Sequence, residues 1–221
     1  MPKQTFFNLP EEKRKRIIEY SIEEFAAHPY SKASLSSIVN RAGIAKGSMY
    51  QYFEYKKDLY SYILVLAARE KMNFLQSQAL NPDVDFFILF EHILMAGARF
   101  TLSQPRLGRI MANAMEPSGE EVLNEVYGKM KEMSLHFIKE LLINAQNLGS
   151  VRKDMSPELM AYLTNAMMTG LSDYILEKAG LNLKGFLQDI QGSQKIAEEE
   201  IQRIIKDVIQ LLRNGLKGEG L

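Results

Sequence analysis

Ser34-Leu-Ser-Ser-Ile-Val-Asn-Arg-Ala-Gly-Ile-Ala-Lys-Gly-Ser-Met-Tyr-Gln-Tyr-Phe53 is the stretch on which the fold turns. Ser34 suits the cap of a short helix carrying Leu35, Ile38, Val39 and Ala42, because a serine oxygen accepts from a free N–H of the first turn. Gly43 can adopt the left-handed backbone that ends such a helix. After Ile44-Ala45, a second short helix is expected from Lys46 to Phe53. Ile38, Val39, Ala42, Ile44 and Met49 then share one inward face. Two short helices about a tight turn form a helix-turn-helix, an arrangement whose second helix can lie in the major groove of DNA.

The second helix carries chemistry to match. Lys46, Gly47 and Ser48 open it with a cation, a bare backbone and a small hydroxyl. Helix N-termini attract phosphate through free N–H groups and the helix dipole. Tyr50 and Tyr52 can donate hydroxyls to phosphate, and Gln51 suits a base edge. Plainer readings stand beside these. Tyr50 and Phe53 also sit at core spacing, and Lys13-Arg14-Lys15-Arg16 also reads as a solvated helix face. A helix pair alone could equally contact protein.

Residues Ala42 to Phe53, followed by Lys56-Lys57-Asp58-Leu59, resemble the head of the TetR (tetracycline-repressor-like) family. The resemblance covers about residues 8–66. It departs at Tyr52, where many members have histidine, and at His28-Pro29-Tyr30, which replaces a glycine-containing turn. It implies an all-α dimeric transcriptional regulator, commonly a repressor, with an N-terminal three-helix reading head and an effector-binding body. Carried over by position, Lys46, Ser48 and Gln51 would face the groove, with Gly47 allowing close approach. Ser34, Ser36, Ser37, Tyr50, Tyr52 and Lys56 would touch phosphates. The implied partner is a palindromic double-stranded operator.

Outward from this stretch the periodicity is helical throughout, without a convincing alternating strand. A head over residues 1–55 and a helical effector-binding and dimerisation body over 56–221 are expected. Asn8 is read as the cap of the first helix, with Pro10 in its first turn. Further helices are expected at about 56–80, 84–103, 105–115, 120–148, 157–179 and 194–214, with 181–193 irregular. Ser156 and Pro157 open the helix at 157–179.

Two of these helices carry apolar stripes suited to a two-fold homodimer, with contacts expected from Leu163, Met167, Leu171, Ile201, Ile205, Val208 and Leu212. The same stripes could instead cover the core of a single chain. Between head and stripes the chain is rich in phenylalanine and methionine, which can line an adaptable apolar cavity. Phe87, Phe90, Leu94, Met111, Met115, Tyr127, Met130 and Phe137 are the candidate lining of a site for a small apolar or amphipathic effector. Arg99, Arg106, Arg109, His92 and Asn113 are candidate polar anchors.

Composition sets the outer limits. The 221 residues include no cysteine, which excludes disulfides and thiolate catalysis. His28, His92 and His136 lack carboxylates at ligand spacing, so no metal and no cofactor are expected. Neither a Gly-rich phosphate loop nor a nucleophile elbow occurs, and no enzyme is expected. No uninterrupted apolar run approaches about 18 residues, so a cytoplasmic protein without a membrane span is expected. Net charge is zero, but residues 1–60 hold ten Lys/Arg against seven Asp/Glu, a mildly basic head on a mildly acidic body. The competing reading is a helical ligand-binding or scaffolding protein whose head contacts protein.

Overall fold

The computed structural model describes residues 1–78, 85–115, 121–178 and 198–216. Among them lie ten α-helices and no strand: α1 (Gln4–Phe7), α2 (Glu11–Ala27), α3 (Leu35–Ala42), α4 (Lys46–Tyr52), α5 (Lys56–Ser77), α6 (Phe86–Ser103), α7 (Pro105–Met115), α8 (Glu121–Asn147), α9 (Pro157–Lys178) and α10 (Glu198–Leu216).

Local signals account for most helix ends. Ser34 caps α3, its hydroxyl oxygen accepting from the Ser37 N–H at 3.3 Å. Gly43 follows at φ 66°, where a side chain would be strained, and lets the Ile44 N–H reach the Val39 carbonyl at 3.0 Å. Gly149, at φ 80°, makes the corresponding turn after α8. The Ser156 oxygen accepts from the Leu159 N–H at 3.2 Å and so opens α9.

Asn8 does something different from its expected role. The additional helix α1 ends on it, and the Asn8 N–H bonds the Gln4 carbonyl at 3.1 Å. Helix α2 starts after Pro10, without a side-chain cap. Helix α10 reaches Leu216. The expected irregular stretch 181–193 and the expected start of the last helix at Gln194 fall outside the described residues.

The chain divides into two compact units, Met1–Asn73 with Phe100–Tyr127, and Phe74–Arg99 with Gly128–Leu221. In the first, α2 packs on α3 and α7, α3 on α4, and α1 on α4. Its core holds Ile17, Phe25, Ile38, Met49, Phe53, Leu59, Tyr60 and Ile63, all at most 2% exposed. Phe25 meets Tyr60 edge-on at 4.9 Å. Burial, with Tyr30 adding to it, pushes the Tyr60 phenol up to about 12.

The second unit is aliphatic at its centre, where Ile138, Leu142, Met160, Ile201 and Ile205 pack with Phe86, Phe87 and Phe90. Helix α6, with a mean hydropathy of 1.3 over 18 residues, is long and apolar enough to cross a membrane by length and composition. Its Phe86, Phe87, Phe90, Met95, Ala96 and Phe100 are buried in the fold.

Candidate nucleic-acid interface

The site begins with a buried carboxylate on α2. Glu24, 5% exposed, accepts from the Ser34 N–H at 2.8 Å and from the Ser37 hydroxyl at 2.6 Å. It thereby ties the first turn of α3 to α2, and the charge on the acceptor strengthens both bonds. Its neighbour in sequence, Glu23, pairs with Arg41 at the end of α3 and with Arg106 of α7 at 3.0 Å. Arg41 also stacks over the Tyr20 ring at 4.7 Å. Helix α3 is thus held by charge at both ends.

Helix α4 lies against α3 and divides its side chains between two sides. Met49 and Tyr52 are buried, as is Phe53 just beyond, whereas Lys46, Gly47, Tyr50 and Gln51 are exposed and Ser48 is half-buried. A Cβ added at Gly47 would meet nothing within 4 Å, so the backbone there stands open to an approaching surface. Ala45 precedes α4 without a side-chain bond; its carbonyl accepts from the Ser48 N–H at 2.9 Å, which leaves the earlier N–H groups, those of Lys46 and Gly47, to meet an anion.

Of the other expected contact residues, Ser34 and Ser36 are exposed. Three are revised. Tyr52 is only 5% exposed, and its ring packs near Phe6 at 6.3 Å. Ser37 is half-buried, and its hydroxyl proton is committed to Glu24. The Lys56 amine donates to the Tyr30 carbonyl at 2.6 Å and the Ala33 carbonyl at 3.2 Å, and sits 4.4 Å over the Tyr30 ring. It closes the turn before α3. In each case the partner is distant in sequence, so no local pattern revealed it. The roles of Glu23 and Glu24 were hidden likewise, since a glutamate on an amphipathic helix ordinarily faces water.

The candidate effector residues are divided between the two units. Phe87 and Phe90 are 1% exposed in the aliphatic unit's core, with Leu94 packed against it. Phe137 is 46% exposed, Met111 and Met130 are half-buried, and the side chains of Met115 and Tyr127 lie outside the described ones. Arg99 pairs with Glu198 at 2.7 Å and Arg106 with Glu23, while the His92 ring meets the Gln78 carbonyl at 2.8 Å. The buried amide nitrogen of Asn113 has no hydrogen-bond partner among the described residues. Two open clefts, of about 400 and 450 Å3, have other linings. Among the described residues no group of three or more His, Cys, Asp or Glu is placed to hold a metal.

Of the expected dimer residues, Ile201, Ile205 and Leu171 are 2%, 1% and 9% exposed and belong to the chain's own core, with Val208 and Leu212 partly buried against it. The physical reason is the width of the stripe on α10: Ile201, Ile205 and Ile209 turn inward at fourfold spacing, while Leu211 is 68% exposed. On α9, Leu159, Tyr162, Leu163 and Tyr174 are exposed. The 450 Å3 cleft lies here, lined by Met167, Gly170, Leu171, Tyr174, Ile204, Asp207 and Val208.

Comparison with known proteins gives a consistent picture. Residues 17–63 match the family model described as "Bacterial regulatory proteins, tetR family". The chain is similar to a TetR family transcriptional regulator from Chloroflexus aurantiacus J-10-FL, at 32% identity over 99% of this chain and 100% of that one, with a TM-score of 0.75. It is 22% identical to the "Probable acrEF/envCD operon repressor" of Escherichia coli K12, over 77% of this chain and 79% of that protein. NalD, the secondary repressor of the MexAB-OprM multidrug efflux pump in Pseudomonas aeruginosa, shares the fold at 18% identity, covering 94% of this chain and 97% of that one, with a TM-score of 0.61.

Proposed function

The chain belongs to the TetR family and is a DNA-binding transcriptional regulator, and from that premise we propose that it is a homodimeric repressor released from its operator by a small effector. The observation that carries the DNA-facing part is the division of α4: Lys46, Gly47, Tyr50 and Gln51 are exposed while Met49 and Tyr52 anchor the helix. Such a helix can enter a major groove without unpacking the head. Gln51 and Lys46 read base edges. Tyr50, Ser34 and Ser36 reach phosphates, and Ser48 follows the groove beside Gly47. The reading head is the segment 1–55, and the protein works in the cytoplasm, where a bacterial operator is found.

Repression is supported by two relatives whose names call them repressors. Dimerisation is supported by the exposed Leu163 and Tyr174 on α9 and Leu211 on α10, which with the half-buried Met167, Val208 and Leu212 meet their symmetry mates. The effector is apolar or amphipathic, with Asn113 as one polar anchor: a buried donor without a partner gains most from a ligand that brings an acceptor. Such a ligand acts by preferring the state whose two heads do not match successive grooves.

Selection of tight-binding duplexes from a random library tests the reading. The expected product is a palindrome with half-sites about 34–36 Å apart. A pool without an enriched sequence, from protein that is folded and dimeric, would favour a head that contacts protein.

A further inference from the structure

Helix α4 has seven residues, too few to persist on its own. Its last four carbonyls, those of Met49, Tyr50, Gln51 and Tyr52, have no acceptor role inside the helix. The Phe53 N–H closes on the Met49 carbonyl at 2.9 Å. The other three are all met by the segment that forms α1. The Lys3 N–H donates to the Tyr52 carbonyl at 2.8 Å, the Lys3 amine to the Tyr50 carbonyl at 3.2 Å, and the Thr5 hydroxyl to the Gln51 carbonyl. Phe6 anchors the segment: it is fully buried, with ring centres at 4.9 Å from Phe53 and 5.5 Å from Tyr62. The Lys3 ammonium also stands at the negative end of the α4 dipole.

We infer that Lys3 and Thr5 are positioning residues for the DNA-reading helix, fastening the backbone of Tyr50 and Gln51 from behind while their side chains face outward. This rests on the reading of α4 as the groove helix. The logic is one of division of labour. A helix whose N-terminus is left open for a ligand must be secured at its other end, and here an element 46 residues away does so. Thr5 and Lys3 are exposed, so they add nothing to the core; what they add is alignment. A loosened last turn would let the Gln51 side chain wander from a base edge, and bidentate contacts tolerate little misalignment.

The test uses the full chain, the selected duplex and a random duplex, with Thr5→Val, Thr5→Ser and Lys3→Met variants. Thr5→Val is expected to lower affinity for the selected duplex about three- to tenfold, the range of one lost hydrogen bond. Affinity for the random duplex and the melting temperature should stay at wild-type values, and Thr5→Ser should restore specificity. Lys3→Met keeps the backbone bond and should cost about two- to threefold. Without DNA, amide exchange in Thr5→Val should quicken at Tyr50 to Phe53 and nowhere else. Wild-type protein with no preference for the selected duplex sinks the regulator reading and this inference together. Wild-type protein that discriminates, with Thr5→Val matching it, sinks the inference alone, whether or not exchange quickens.

Discussion

Helices α4 and α9 each bury one side and leave the other to solvent, yet the exposed sides differ in kind. Around α4 the outward residues are Lys46, Gly47, Tyr50 and Gln51, three of them polar and the fourth bare backbone. On α9 the outward residues include Leu159 and Leu163, with the small Ala166 and Gly170 beside them. A polar outward side tolerates water between engagements and suits a partner that comes and goes. An apolar outward side costs free energy for as long as it stays wet, and suits a partner that remains. The support differs too. Helix α9 has 22 residues and buries Met160, Ala161 and Leu171 on its own account, whereas α4 borrows its fastenings from α1 and α3.

The largest effect expected from this contrast is on assembly. Leu163→Asp should weaken the proposed dimer at least about 100-fold. Each exposed leucine loses roughly 1.5–3 kcal/mol of burial, and the two-fold axis counts it twice. Sedimentation velocity across a dilution series measures this, and an unchanged dimer would move the interface elsewhere. Next comes the head's scaffold. Glu24→Ala removes two bonds to a buried carboxylate and should destabilise the first unit by about 2–4 kcal/mol in denaturant unfolding. A change under about 0.5 kcal/mol would mean that α3 is seated by packing alone.

Alkaline titration separates the units more gently. The Tyr60 phenol is raised to about 12 in the folded chain, while an unfolded tyrosine ionises near 10. Between those values the unfolded state has lost a proton that the folded state keeps, so stability falls as pH rises. The loss should approach roughly 2–3 kcal/mol by pH 12, and Tyr60→Phe should abolish it. The smallest effect concerns Lys56. A lysine on phosphate contributes about 0.9 to the slope of log affinity against log salt. Because its amine is held by the Tyr30 and Ala33 carbonyls, Lys56→Met should leave that slope nearly unchanged.

The same contrast shows what the sequence discloses. Signals that act within a turn were legible: Ser34 caps, Gly43 takes positive φ, Ser156 starts α9. The helical class and the helix-turn-helix followed from spacing: Ile38, Val39, Ala42 and Met49 are buried, and Ile44, expected with them, is half-buried. Signals that depend on distant partners were not legible. Tyr52 looks free until Phe6 is seen beside it, and Lys56 until the Tyr30 and Ala33 carbonyls are placed. Asn8 resembles a helix cap because its true role closes a four-residue helix too short to show a period. Ile201 and Ile205 share a stripe with residues that face outward, and periodicity alone cannot say where core ends and interface begins.

The central claim is that the outward side of α4 reads a duplex, and the ratio of affinities for selected and random duplexes tests it most directly. At fixed salt the account predicts a wild-type ratio of at least about 10³. In Gln51→Ala the ratio should fall roughly tenfold or more, the loss concentrated at one base pair of each half-site. A wild-type ratio near one, or a Gln51→Ala protein with its ratio intact, would contradict it.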